Sequence, residues 1–180
     1  GDAIQRNDII RILEKGVPTL IDEAYIEFSD STSCIDLIDS YPNLYVTRTF
    51  SKAYGSAGTR FGVILSQPHN IEKMTQYRDM YEISGQTLKW IKTVCKNKNI
   101  ADKYINDVKR TRTELLLKLY DKGYKFIPSQ SNWFHIKESD LPKLPKNIEF
   151  KKNCSITKQN DDWIRLQITD NIEDYNWILK

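Results

Sequence analysis

Three short apolar runs within the first 66 residues constrain the fold more than any other feature. They are "VPTLIDEAY" (17–25), "NLYVTRTF" (43–50) and "RFGVILS" (60–66). Each is rich in β-branched or aromatic residues, and the first stops abruptly at two acids, the profile of a buried strand ending in polar residues. Ahead of them, "NDIIRILEKG" (7–16) puts Ile9, Ile10 and Leu13 on one helical face. Asn7 or Asp8 can cap that helix, and Gly16 suits the position just past its end. Two further helical segments, at about 70–82 and 84–96, follow the third run. Strands alternating with helices predict an α/β fold around a largely parallel sheet of buried strands.

Beyond residue 97 the pattern changes. "NIADKYINDVKRTRTELLLKLYDKGY" brings Ile100, Tyr104, Val108, Leu115 and Leu119 close to one face of a long helix ending at Gly123. Helices of this length often bridge two lobes. "YKFIPS", "SNWFHIK", "NIEFKK" and "DWIRLQIT" then read as short alternating strands. A last helix begins in "DNIEDYNWILK", with Asp170 and Glu173 spaced as a capping box. The expected organisation is part of a large sheet domain at 1–97, an inter-domain helix at 98–123 and a small α+β domain at 124–180.

Charge and cysteine usage exclude several classes. A net charge of +3, with lysine and arginine dispersed, leaves no footprint for nucleic acid. Three widely spaced cysteines, Cys34, Cys95 and Cys154, form neither a disulfide framework nor a metal motif. His69 and His135 are isolated, so no metal is expected. No apolar run is long enough to span a membrane and no signal-peptide pattern opens the chain. A reducing, cytoplasmic setting is the expectation.

The chemistry-bearing residues converge on two strand ends. Ligands of open α/β sheets collect at the carboxyl ends of the strands. Asp22 and Tyr25 close the first predicted strand, and Lys52 follows the second within "TRTFSKAYGSAGTRFG" (47–62). A carboxylate, a phenol and an amine at one crevice are the groups that hold a pyridine aldehyde. The amine condenses with the aldehyde, the carboxylate keeps the ring nitrogen protonated, and the phenol bonds the ring hydroxyl.

These residues also carry a family resemblance. "TFSKAYGSAG" resembles the lysine signature of the fold-type-I pyridoxal-phosphate aminotransferases of class I/II. "LIDEAY", upstream, resembles the partner motif of the histidinol-phosphate aminotransferase family; "GTRFG", "SNWFHI" and "WIRLQI" follow in that family's order. The resemblance covers essentially the whole chain and corresponds to the C-terminal half of the family. It implies that Lys52 is the Schiff-base lysine, Asp22 the partner of the pyridinium nitrogen and Tyr25 the donor to the cofactor's 3-hydroxyl. It implies that Thr49, Ser51 and Arg60 hold the cofactor phosphate. Arg165 would grip the substrate carboxylate, with Asn132 nearby and Lys151 close to a substrate phosphate.

The sequence departs from the family in three places. Gly1 falls where the family's Asn-Pro-rich motif ends, so the half that supplies further cofactor contacts is expected to lie outside these residues. Lys151 stands where the family usually has arginine, which keeps the charge but loses the bidentate fork. "RLQITD" lacks the glycine common after this strand.

The resemblance implies an amino-acid-biosynthetic transferase working between an amino donor and 2-oxoglutarate, homodimeric in the full-length protein. Two alternatives stay open on sequence. One is a pyridoxal-phosphate decarboxylase of a phosphorylated amino acid; the other is a catalytically incomplete, non-enzymatic fragment.

Overall fold

The computed structural model describes residues 3–142, 150–151 and 162–180. They form two compact units, Ala3–Ala101 and, apart from the chain's first two residues, Asp102–Lys180.

The first unit begins with α1 (Arg6–Leu13), which buries Ile9 and Leu13. Gln5 occupies its N-cap without a side-chain bond, so Asn7 and Asp8 lie inside the first turn rather than capping it. There Asp8 still complements the helix dipole and pairs with Arg11 at 3.2 Å. Gly16 turns the chain at φ 72°, as the helix-end reading requires. Strand β1 (Thr19–Asp22) then pairs in parallel with β2 (Leu44–Thr49), Ile21 opposite Val46 and Asp22 opposite Thr47. The face of β2 that carries Leu44 and Val46 packs with Ile9, Leu13, Cys34 and Leu37 into a core also touched by Ile21, Ile35 and Tyr41. Each fully buried aliphatic chain here contributes about 1.5–3 kcal/mol.

Strand β3 (Gly62–Leu65) departs from the parallel expectation. It pairs with β2 antiparallel, Thr47 opposite Ile64 and Thr49 opposite Gly62. A parallel return needs a crossover of a dozen or more residues, usually helical, that carries the chain back to the starting end of the sheet. Residues 50–61 instead turn back at the end where β2 stops, so the sheet is mixed. Nor are all three strands buried: Leu20 is 59% and Ile64 40% exposed. Helices α2 (Pro68–Thr75) and α3 (Gly85–Lys96) complete the unit, the latter capped by Ser84, whose hydroxyl accepts from Thr87 N. Pro68 at the start of α2 fits the first helical turn, where its missing N–H costs nothing.

Helix α4 (Lys98–Asp121) is 24 residues long, about 36 Å at 1.5 Å per residue. Its buried stripe is Ile105, Val108, Thr111, Arg112, Leu115 and Leu119. Ile100, expected on that stripe, is 67% exposed, because the packed part of the helix starts one turn later.

The second unit is built on an antiparallel sheet in the order β4 (Phe126–Ile127), β5 (Trp133–Lys137), β7 (Trp163–Gln167), β6 (Phe150–Lys151). Phe134 opposite Leu166 and Ile136 opposite Ile164 make its fully buried face. The rest of the "NIEFKK" segment lies outside the described residues, as does Cys154. A short 3-10 turn (Ile172–Tyr175) leads into α5 (Asn176–Leu179). Its cap is Asn171, whose side chain accepts from Glu173 N at 3.0 Å, so Asp170 is not the capping residue expected. Among the described residues no helix is long and apolar enough to cross a membrane.

Candidate active site

The end of β1 places its residues by alternation. Asp22 is exposed on one face, and its Oδ1 accepts from Ala24 N at 3.0 Å and from the Thr47 hydroxyl at 3.3 Å. These bonds engage one oxygen of the carboxylate, while its other oxygen remains available, with no bond to it among the described residues. Three residues on, Tyr25 leads into a short 3-10 turn (Ile26–Phe28).

The loop after β2 brings Lys52 to the same place. The ammonium of Lys52 stands 5.4 Å from the centre of the Tyr25 ring. Lys52 is exposed and has no carboxylate partner among the described residues. The loop is held from within. Phe50 N donates to Phe61 O at 3.1 Å and Ser56 N to Phe50 O at 3.0 Å, closing its base. The Phe50 ring lies between Tyr54 at 4.9 Å and Phe61 at 5.3 Å. Ala53, next to Lys52, is buried, and Trp90 of α3 donates its indole N–H to the Ser56 hydroxyl at 2.9 Å. Gly55 turns at φ 60°, and a Cβ on Gly62 would sit 3.0 Å from Arg48 O, so both positions favour glycine.

The phosphate candidates differ in what they have left to offer. Thr49's hydroxyl accepts from Ser51 N at 3.1 Å and donates to Phe61 O at 3.4 Å, so it serves the loop. The Ser51 hydroxyl makes no bond among the described residues. Arg60 sits in the left-handed region at φ 51°, uncommon for a non-glycine residue, and donates one guanidinium N–H to Ala57 O at 3.1 Å. Its exposed fork keeps further donors for an anion.

The structure thus brings Lys52 and Tyr25 into contact, with Asp22 on the neighbouring strand end and Thr49, Ser51 and Arg60 on one loop. Arg165, Asn132 and Lys151 belong to the second unit. There Arg165 lies directly opposite His135 on β5 and Lys151 on β6. Its guanidinium stacks 5.1 Å from the centre of the Trp133 ring. Asn132 is buried, its carbonyl accepts from Ile168 N at 2.7 Å, and its side chain bonds Tyr104. Burial lowers the pKa of His135 and raises that of Tyr104, so both favour their neutral forms.

Sequence reading missed an ionic cluster behind the strand ends. Glu23 is 5% exposed; it accepts from Cys34 N at 2.6 Å, from the Ser33 hydroxyl at 2.7 Å and from Arg48 Nε at 2.8 Å. Arg48 also donates to Glu27 at 2.9 Å and to the Ser33 hydroxyl at 2.9 Å. The available signal was alternation: Glu23 and Arg48 fall on the same face as Ile21 and Val46, where charge must be paired.

The family model for aminotransferase class I and II matches residues 1–168. A histidinol-phosphate aminotransferase from Christiangramia forsetii is 36% identical over 140 residues, covering 76% of this chain and 40% of the relative. One from Thermococcus gammatolerans is 31% identical over 146 residues, covering 81% and 42%. The crystal structure of a putative histidinol-phosphate aminotransferase from Erwinia carotovora atroseptica superimposes with a TM-score of 0.78 at 18% identity, over 99% of this chain and 54% of that one. The chain therefore spans about two fifths of the length of the curated relatives it matches. With a family model running through the Lys52 loop and both units, this chain belongs to the class I and II aminotransferases and is homologous to the histidinol-phosphate aminotransferases.

Proposed function

We propose that the protein is a pyridoxal-phosphate-dependent aminotransferase of the histidinol-phosphate type, moving an amino group between an amino acid or phosphorylated amine and 2-oxoglutarate. The observation that carries this reading is the Lys52 amine lying against Tyr25, with no carboxylate partner among the described residues, beside the strand that ends in Asp22. The family is pyridoxal-phosphate dependent. The donor set fits that cofactor: an amine, a carboxylate with one available oxygen, a phenol, a hydroxyl and an exposed guanidinium.

When bound, pyridoxal phosphate supplies an aldehyde and a pyridinium ring that draws electrons from the substrate's α-carbon. Lys52 would hold the aldehyde covalently through Nζ. Asp22, facing the ring nitrogen, would keep it protonated by a charge-assisted hydrogen bond. Tyr25 would donate to the ring oxygen, and Ser51 and Arg60 would bind the phosphate, Arg60 with two aligned donors. Thr49 supports them by fixing the turn at Ser51 N. Lys52, freed by the incoming amine, would take the proton from the substrate's α-carbon at Nζ.

For the substrate we assign Arg165 to the carboxylate, with Asn132 in the same unit as a neighbouring contact, and Lys151 to a second anionic group. Arg165 and Lys151 stand directly opposite one another on β7 and β6.

The test is covalent. Pyridoxal phosphate added to the protein and reduced with borohydride should label Lys52 on peptide mapping, and Lys52→Ala should lose that label. A label that survives in Lys52→Ala would sink the assignment. Glutamate formed from 2-oxoglutarate identifies transamination, whereas carbon dioxide release identifies the decarboxylase.

A further inference from the structure

The side chains next to the site on β1 and β2 face away from it. Alternation sends Asp22 and Thr47 to the site face and Glu23 and Arg48 to the core face, one residue further along each strand. Glu23 N donates to Thr47 O at 3.0 Å, so the parallel ladder extends one residue past β1. On the core face the Glu23 carboxylate and the Arg48 guanidinium meet at 2.8 Å. The pair is well satisfied: Glu23 Oε1 takes Cys34 N, Oε2 takes Ser33, and Arg48 spends further donors on Glu27 and Ser33. On the site face, the one side-chain bond among the described residues that crosses between the strands to Asp22 is the long 3.3 Å bond from Thr47. The strand end is therefore held mainly from behind.

We propose that Glu23 and Arg48 are positioning residues for Asp22: their ion pair, buried on the Glu23 side and partly buried at Arg48, fixes the end of β1 against β2 and so aims the Asp22 carboxylate at the ring nitrogen of the cofactor. The proposal rests on the assignment of Lys52 and Asp22 above. A simpler hydrophobic pair could close the core at this point, since well-packed apolar residues often replace a buried ion pair without loss of stability. What an ion pair adds is direction. Its hydrogen bonds fix the angle between two strands, and an acid–base partner displaced by even an ångström loses much of its effect. The position of the pair, immediately behind Asp22 and Thr47 rather than deeper in the sheet, is what a device for aiming requires.

The experiment compares two probes: pyridoxal 5′-phosphate and its deaza analogue, in which a C–H replaces the ring nitrogen. The variants are Asp22→Asn, Glu23→Gln, Arg48→Lys and Lys52→Ala, each checked by circular dichroism. The wild-type protein should bind the natural cofactor more tightly than the analogue, by roughly tenfold for one charge-assisted bond. Asp22→Asn should remove that preference. Glu23→Gln should remove most of it while binding the analogue as the wild type does, and Arg48→Lys, which keeps the charge but not the fork, should fall between. A Glu23→Gln protein that keeps the wild-type preference overturns the proposal, as does one that loses both probes equally, because the pair would then act on the fold alone. Failure of both Glu23→Gln and Arg48→Lys to fold overturns it for the same reason. Unchanged covalent capture by Lys52→Ala overturns the parent assignment instead.

Discussion

The Lys52 ammonium lies 5.4 Å from the centre of the Tyr25 ring, so the loop after β2 meets the turn after β1 through one side chain from each. Tyr25→Phe keeps the ring under the ammonium and removes the phenol that would reach the cofactor. The dissociation constant for pyridoxal phosphate should rise roughly tenfold, the usual worth of one hydrogen bond. Tyr25→Ala should cost more, since the ring face contributes about 0.5–1 kcal/mol to a cation at an exposed site. Absorbance titration measures both; equal affinity in Tyr25→Phe and wild type removes the phenol from the site.

Cys34 and Cys95 should react very differently. Cys34 is buried, and burial, followed by the nearby Glu23 charge, pushes its thiol pKa up. Little thiolate is present at neutral pH and little of it is reachable. Cys95 is exposed. Iodoacetamide should label Cys95 in the native protein and Cys34 only after denaturant is added, as read by peptide mass spectrometry. Rapid native labelling of Cys34 would contradict the packing of the core around it.

Tyr175 anchors the exit of β7. Its fully buried hydroxyl donates to Gln167 O at 2.7 Å and accepts from Thr169 N at 2.7 Å. Tyr175→Phe leaves both backbone groups without this partner and should cost about 1–3 kcal/mol in denaturant unfolding. Burial also pushes the Tyr175 pKa up to about 12. The neutral phenol is the form the fold prefers, so its contribution is complete below about pH 10 and is lost as pH rises from about 10 towards 12. The phenylalanine variant should lack that alkaline decline.

His135 sets the opposite limb. Burial lowers its pKa below the ordinary 6.5. Between the lowered value and 6.5 the unfolded chain binds more protons than the folded one, so stability falls as pH drops through that window. Denaturant midpoints should decline below about pH 6.5 in wild type and less steeply in His135→Asn. An imidazole titrating above 6.5 by NMR would reverse the sign and refute the account.

Much of this is legible in the order of residues. Periodicity marked α1 and α4, apolar runs marked β1 and β2, alternation marked β5, and Gly16 marked a helix end. The misses have physical causes. Asn7 and Asp8 outrank Gln5 as caps by propensity, yet the helix starts where its apolar face meets the core, at Ile9 and Leu13. Ile100 matches the period of α4 but lies beyond the packed part of that helix. Neither can be read locally, because both depend on where the neighbouring elements stop.

The sequence by itself determined which groups this protein can bring to a site: the amine of Lys52, the carboxylate of Asp22, the phenol of Tyr25 and the guanidinium of Arg60. Side-chain chemistry and strand-end position are local properties, written in the order of residues. Only the tertiary structure decided how those groups stand. The antiparallel return of β3 keeps Lys52 and Arg60 on one loop at the end of β2, and the Glu23–Arg48 pair ties the two strand ends from behind. Pairing direction and buried charge are settled between segments distant in sequence, since both follow from which backbones and which side chains exclude water together.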